Sequence, residues 1–147
     1  MAKELIAADR VFLDTAYAIA LSSAADQFHA VAVALAEQLE ARPARLVTTS
    51  AVLLEIRNAL AKLQHRRAVA QLLTSLRADP TVEIVPISDR LFDQALELFS
   101  TRPDKEWGLT DCLSFVVMKE RGISKALTTD EHFQQAGFRV LLREPAL

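Results

Sequence analysis

The sequence contains a single cysteine, Cys112, so no disulfide can form within the chain. Disulfides are common in secreted domains and rare in the reducing cytosol, and their absence favours a cytoplasmic protein. Cys112 lies in an apolar stretch and is interpreted as a small buried hydrophobic residue. The three histidines, His29, His65 and His132, show neither an HExxH pattern nor paired ligand spacing, so a zinc site is not expected.

Long apolar runs are also missing. No stretch of about 18 uncharged apolar residues occurs, and residues 1–10 lack the apolar core of a secretory signal. We therefore expect no membrane association. The 17 basic and 19 acidic side chains give a net charge of −2, which excludes a global basic field that attracts nucleic acid nonspecifically. Any contact with nucleic acid must be local.

The length of 147 residues suits one domain over residues 1–147, with an ordered core over about 9–143. Short apolar runs alternate with helical patterns along the chain. The predicted strands are residues 10–14, 45–48, 82–86, 124–128 and 138–142. The predicted helices are residues 16–22, 26–41, 50–63, 65–78, 88–99, 111–121 and 130–135. Strands that alternate with helices predict an α/β sandwich, in which helices cover both faces of a parallel sheet.

Local signals set the ends of several predicted elements. Pro43 and Pro80 follow helical patterns and end them. Thr110 is predicted to cap the helix that begins at Asp111, and Gly122 is predicted to stop it. Residues 144–147 are predicted to form a tail.

Two of the predicted strands close on a carboxylate directly before a helical pattern. Asp14 ends the run over residues 11–14, and Asp130 ends the run over residues 126–130. The ligand crevice of a parallel sheet lies beyond the carboxyl ends of its strands. Neighbouring strands would bring the two carboxylates to one edge. The structural alternative for Asp14 is a helix N-cap.

Two helical acids are candidates for the same edge. Glu55 flanks the apolar stripe that contains Val52 and Ile56, although a solvent-facing glutamate is the simpler alternative. Asp111 begins an apolar helix, whose dipole stabilises an anion there, and could be a structural cap. Four acids without basic partners would repel one another, so a divalent cation best explains them. Such a cluster suits metal-assisted hydrolysis of a phosphodiester bond.

Four segments resemble, in order, the four acidic motifs of the PIN-domain nucleases. They are Phe12-Leu13-Asp14-Thr15, residues 54–60 around Glu55, residues 107–115 around Asp111, and residues 127–133 around Asp130. The resemblance spans nearly the whole chain. It implies a single-domain α/β/α sandwich whose five-stranded parallel sheet has the order 3-2-1-4-5. It also implies hydrolysis of RNA with Mg²⁺ as cofactor, for which Mn²⁺ can substitute.

The same resemblance implies roles for the four acids, which would together be the catalytic residues. Asp14 and Asp111 would be the principal metal ligands. Glu55 would ligate the metal directly or through water, and Asp130 would ligate it or orient a bound water.

Two hydroxyl residues beside the acids, Thr15 and Thr129, match supporting positions of the family, with helix capping as their structural alternative. Small bacterial members of the family are commonly VapC-like toxins, which cleave RNA and are held inactive by an antitoxin in the acidic groove. The resemblance therefore implies the toxin of a type II toxin–antitoxin system, with a cognate antitoxin protein as partner and a homodimer as the assembly.

Positive charge gathers close in sequence to Glu55. The candidates for contact with the RNA backbone are Arg57, Lys62, Arg66 and Arg67, with His65 among them. The structural alternative is a solvated helix face.

Other function classes fit the sequence less well. A receiver-type phosphoacceptor domain needs an adjacent acidic pair after the first strand, but Thr15 follows Asp14. A haloacid-dehalogenase-type phosphatase needs an aspartate two residues beyond the first, where this chain has Ala16. Two alternatives stay open within the resemblance. They are an RNA-processing nuclease outside a toxin–antitoxin pair and a noncatalytic protein-binding scaffold.

Overall fold

The computed structural model describes residues 10–42 and 44–144. Within them the strands are β1 (Arg10–Leu13), β2 (Arg45–Thr49), β3 (Val82–Val85), β4 (Lys125–Leu127) and β5 (Arg139–Val140). The helices are α1 (Thr15–Ser22), α2 (His29–Ala41), α3 (Ser50–Ala59), α4 (Leu63–Ala78), α5 (Asp89–Thr101), α6 (Leu109–Glu120) and α7 (Glu131–Gln135), followed after β5 by a 3₁₀ turn (Leu141–Arg143). Residue 9 of the predicted core, the predicted break at Pro43 and residues 145–147 of the predicted tail lie outside the described residues.

The five strands form one parallel sheet in the order β3-β2-β1-β4-β5. This confirms the α/β prediction and the strand order that the resemblance implies. From β1 the chain winds outward to β2 and β3, and it then returns to β4 on the other side of β1. The winding therefore reverses between β1 and β4, where Leu13 pairs with Leu127. Ligand crevices of open α/β sheets lie beyond the strand ends at such a reversal.

Side chains of β1 alternate between two apolar cores, one on each face of the sheet. Phe12 is fully buried among residues of α3, α5, α6 and α7. Val11 and Leu13 pack on the other face with residues of α1 and α2. Full burial of one phenylalanine side chain stabilises a fold by about 1.5–3 kcal/mol. Because both faces are covered, β1 is held in place directly before the carboxylate that follows it.

The predicted start of the second helix at Asp26 is wrong, because α2 begins at His29. The Asp26 side chain accepts a hydrogen bond from the Phe28 amide at 2.8 Å, and the Asp26 carbonyl accepts one from the His29 amide at 3.0 Å. These bonds form a turn in front of the helix. Aspartate favours such a turn because its short side chain reaches its own backbone two residues on.

The predicted helix over residues 50–63 is also too long, since α3 ends at Ala59. Leu60 leaves the helical conformation at φ −112° and ψ 33°, and its side chain is buried in the core. This end has neither a glycine nor a proline to mark it. Tertiary packing of Leu60 therefore ends a helix that the local sequence would continue.

The predicted fifth strand over residues 138–142 is shortened to β5, which is two residues long. β4 has only three residues, and it pairs with β5 through Lys125 with Arg139 and Ala126 with Val140. Beyond that pairing the chain turns into the 3₁₀ segment. Across residues 10–42 and 44–144, no helix is both long and apolar enough to cross a membrane.

Candidate metal centre

Asp14 directly follows β1 and is only 5% exposed. The Thr128 hydroxyl, which comes from the end of β4, donates a hydrogen bond of 2.6 Å to Asp14 Oδ2. The Asp14 amide donates to the Leu127 carbonyl at 3.2 Å. Asp14 occupies the N-cap position of α1, but its side chain makes no capping hydrogen bond. The structural alternative, in which the Asp14 side chain caps a helix, is therefore wrong. Asp14 follows β1 and is held by hydrogen bonds to residues at the end of β4.

Burial raises the pKa of Asp14 from 3.8 to about 7. Hydrogen bonds from Thr128 and from the Thr15 backbone lower the pKa of this carboxyl, and the charges of Asp111 and Asp130 raise it. Asp14 therefore lies within electrostatic reach of both other aspartates. The sequence predicts that repulsion among the acids destabilises the folded protein. In the structure, burial raises the pKa of Asp14 more than the charges of Asp111 and Asp130 do.

Asp111 lies in the first turn of α6. The predicted cap at Thr110 is wrong, because α6 begins at Leu109 with Gly108 as its N-cap residue, and the Gly108 amide donates to Asp111 Oδ2 at 3.2 Å. The predicted stop at Gly122 is confirmed by its left-handed φ of 64°. Burial and then the charge of Asp130 raise the pKa of Asp111, while His132 and the Gly108 amide lower it.

Asp130 is the N-cap residue of α7, and its Oδ1 accepts a hydrogen bond from the His132 amide at 2.8 Å. The Asp130 amide donates to Thr128 Oγ1 at 3.1 Å. Thr128 thus accepts from the backbone of one aspartate and donates to the carboxylate of Asp14. This chain of hydrogen bonds fixes Asp130 relative to Asp14.

His132 joins two of these acids. Its Nδ1 lies 3.1 Å from Asp111 Oδ2 and 3.4 Å from Asp130 Oδ1. One ligand atom each from Asp111, Asp130 and His132 lie within 4.8 Å of one another, and all three residues are partly exposed. Carboxylate oxygens are the hard donors that Mg²⁺ and Mn²⁺ prefer. A divalent cation would also offset the burial and repulsion that raise the pKa of Asp14 and of Asp111. The donor set therefore fits such a cation.

Glu55 lies apart from this three-residue cluster. It is exposed on α3, and its Oε1 accepts a hydrogen bond of 2.8 Å from the Thr15 hydroxyl. Thr15 immediately follows Asp14, so Glu55 is tied to the site through one side chain. Asp104, which we place outside the candidate metal ligands, forms a two-bond ion pair with Arg102.

Sequence reasoning missed two residues of this site. It favoured Thr129 as the supporting hydroxyl, but Thr128 contacts Asp14, and Thr129 accepts a hydrogen bond from Arg143 at its backbone carbonyl. The Thr-Thr pair gives no local signal to choose between the two hydroxyls. His132 lies two residues after Asp130, a spacing that matches no familiar zinc motif.

The structure brings three of the candidate RNA-binding residues to one surface and leaves the others outside it. Arg57, Arg66 and Arg67 line one surface groove between α3 and α4. Lys62 is exposed and does not line that groove, and His65 Nε2 contacts the Gln64 amide nitrogen at 3.2 Å.

Comparison with known proteins gives the class of the chain. The PIN domain family matches residues 11–139, so the chain belongs to the PIN-domain family of metal-dependent nucleases. Its similar relatives include the 23S rRNA-specific endonuclease VapC20 of two Mycobacterium tuberculosis strains, CDC 1551 and H37Rv. Each is 32% identical over 129 residues, covering 87% of this chain and 95% of the relative.

A solved structure is similar as well. The crystal structure of Mycobacterium tuberculosis VapC20, described as a sarcin–ricin loop cleaving toxin, matches with a TM-score of 0.75 and 29% identity. The match covers 87% of this chain and 95% of that one. The resemblance to VapC-like PIN-domain nucleases that the four motifs predict is confirmed.

Proposed function

We propose that this chain is a Mg²⁺-dependent endoribonuclease and the toxin of a type II toxin–antitoxin system, in which Mn²⁺ can replace Mg²⁺. The proposal rests on the approach of Asp14, Asp111 and Asp130 at the carboxyl edge of the sheet in a PIN-domain chain. A noncatalytic scaffold has no use for a buried carboxylate whose ionisation destabilises the fold. The alternative of an RNA-processing nuclease shares the chemistry and differs in target and partner.

We assign Asp14 and Asp111 as the principal metal ligands. Asp130 is assigned as a third ligand or as the group that orients a bound water, and Glu55 as a ligand directly or through water. The imidazole of His132 contacts Asp111 and Asp130 and holds their carboxylates in orientation, as partners of ligands commonly do in metal sites.

When bound, the metal ion supplies positive charge that polarises a phosphate oxygen and makes a bound water more acidic. The protein's part is to fix the carboxylates. Thr128 holds Asp14 Oδ2 in place. The free amides and the dipole at the N-terminus of α6 favour the negative charge of Asp111 in its first turn. Asp130 would ligate the metal or orient the attacking water. Cys112 is fully buried and takes no part.

We propose a structured RNA as the substrate, with the sarcin–ricin loop as the first to test because the similar VapC20 structure is described as that of a sarcin–ricin loop cleaving toxin. The purified protein should cut a hairpin of this loop once, internally, in Mg²⁺ or Mn²⁺ and leave it intact in EDTA. Mapping of the new ends by sequencing gels gives the cut position. A scrambled hairpin of equal length measures specificity. Failure to cut any RNA in either metal would remove the nuclease assignment.

We also propose a cognate antitoxin and a cytoplasmic place of action. VapC toxins act on RNA and pair with VapB antitoxins, and ribosomal RNA lies in the cytoplasm. Basic side chains of an antitoxin would complement the partly exposed carboxylates of Asp111 and Asp130. A protein encoded beside this chain that co-purifies with it and suppresses RNA cleavage would be that antitoxin.

We further propose a homodimer. Phe92, Leu96 and Phe99 are 41%, 43% and 47% exposed, and their spacing places them on one face of α5. A two-fold axis near Leu96 would let this stripe cover its copy. Light scattering should give roughly twice the chain mass of 16.3 kDa. Leu96→Glu should give a monomer, and Gln94→Glu, the matched charge off the stripe, should not. A monomeric wild-type protein would contradict this assembly.

A further inference from the structure

A groove of about 660 Å³ lies between α3 and α4, and its lining carries positive charge only. The charged side chains in the lining are Arg57, Arg66 and Arg67. The polar side chains beside them, Gln71, Thr74 and Ser75, can also donate hydrogen bonds. Arginine presents donors in a planar fork that matches phosphate oxygens. The chemistry of the lining therefore suits an anion with several oxygens.

Some other arginines of the protein form ion pairs with carboxylates, which the groove arginines do not do within the described residues. Arg90 pairs with Glu120, and Arg121 pairs with Glu83. Within residues 10–42 and 44–144, the three arginines of the groove form neither a hydrogen bond nor an ion pair. No carboxylate of the described residues pairs with these like charges, and an anionic ligand would relieve their mutual repulsion.

The position of two arginines in α4 points the same way. Arg66 and Arg67 lie close to the start of this 16-residue helix, whose first turn contains no acidic residue. The positive end of the helix dipole disfavours cations there and favours anions. Basic side chains at this end therefore add to the helix field, which strengthens the attraction for a phosphate.

Glu55 and the arginine groove lie on different sides of α3. Glu55 and Arg57 are about 200° apart around the helix axis, and Ile56 between them is fully buried. On one side Glu55 contacts Thr15, and on the other Arg57 borders α4. A helix with its side chains is about 10 Å wide. The groove therefore lies on the far side of α3 from the contact between Glu55 and Thr15.

We propose that this groove, formed by Arg57, Arg66 and Arg67, binds the phosphate backbone of the RNA substrate away from the cut bond. The inference rests on the proposed function, since it names a second contact with the same substrate. The inference predicts that the groove binds structured or long RNA, whereas a di- or trinucleotide reaches only the metal centre.

The test uses a double variant, Arg66→Glu with Arg67→Glu, and a matched control, Arg42→Glu with Arg77→Glu. Both control arginines are exposed and lie outside the groove lining. Binding of a fluorescent hairpin RNA is measured by anisotropy in EDTA, where no cleavage is expected, across a series of KCl concentrations. Each lost phosphate contact reduces the slope of log affinity against log salt by about 0.9 in a duplex. We expect a slope smaller by about two in the groove variant and an affinity at least tenfold weaker than that of the control.

Three results would overturn the inference. Equal losses in the two double variants would mean that only net charge matters. An unchanged slope in the groove variant would make the arginines a solvated face. Unaltered RNA binding with lost affinity for the antitoxin would give the groove to a protein partner. Because wild-type binding in EDTA needs no cleavage, failure of the nuclease assignment is distinguished from failure of this one. Arg66→Gln with Arg67→Gln repeats the test without charge reversal, and circular dichroism checks the fold of each variant.

Discussion

Asp14→Asn and Asp111→Asn should each cleave RNA at least a hundredfold more slowly than the wild-type protein in saturating Mg²⁺. A hundredfold loss corresponds to about 2.7 kcal/mol of transition-state stabilisation, and a metal held by carboxylates supplies several kcal/mol of such stabilisation. Asparagine keeps the shape of each side chain and removes its charge. For Asp14 it also keeps an oxygen that can accept the Thr128 hydroxyl, so the loss would report on charge.

The measurement is a single-turnover rate on the same RNA hairpin, with Asp104→Asn as the matched control. Asp104 is exposed and paired with Arg102, so its loss of one charge should leave the rate unchanged. His132→Asn should give an intermediate loss of about tenfold, as expected for a residue that orients ligands. Raising the Mg²⁺ concentration should recover part of the His132→Asn rate. Full activity of Asp14→Asn, or activity of the wild type in EDTA, would exclude the metal mechanism.

The edge of the sheet is the part of this site that the sequence predicts best. A parallel strand buried on both faces has little freedom in composition, so runs such as residues 11–13 stand out. Asp14 stands out for the same reason, because a charge directly behind a buried strand needs a partner. Asp130 follows the apolar run of β4 after Thr128 and Thr129. Parallel pairing then places both at one edge. The order 3-2-1-4-5, which makes β1 and β4 neighbours, comes from the family resemblance and not from composition or chain order.

The side-chain contacts of the site are harder to predict from the sequence. Thr128 and Thr129 have the same side chain, and only the register of β4 against β1 decides that Thr128 reaches Asp14. The bond from Gly108 to Asp111 depends on where α6 begins, and a glycine N-cap has no side chain to mark it. His132 reaches Asp111 across 21 residues of sequence because α7 packs beside α6. Such contacts come from tertiary packing, which a local pattern does not encode.

The stability of the metal-free protein should fall as the pH rises from 5.5 to 7.5. The folded protein raises the pKa of Asp14 from 3.8 to about 7, so over this range the unfolded chain has already lost a proton that the folded chain still holds. Stability then decreases by up to about 1.4 kcal/mol per pH unit for this group until the folded carboxyl also ionises. Asp111, with its pKa raised as well, acts in the same direction. Carboxyls with lowered pKa, such as Glu83, add stability that is already complete above about pH 5.

Asp14→Asn should therefore melt higher than wild type in EDTA at pH 7.5, by several degrees, and should lose most of this pH slope. For a chain of this length, one kcal/mol moves the melting temperature by about 3 °C. Asp104→Asn removes an equal charge at an exposed site and should leave both the slope and the melting temperature nearly unchanged.

Mg²⁺ or Mn²⁺ binds only the folded site, so it should raise the melting temperature of the wild type at pH 7.5 and raise that of Asp14→Asn much less. Differential scanning calorimetry in EDTA and in metal, at three pH values, gives all of these quantities. A variant that melts lower than wild type in EDTA, with the same metal shift in both proteins, would make the hydrogen bond between Thr128 and Asp14 a purely structural tie between β1 and β4.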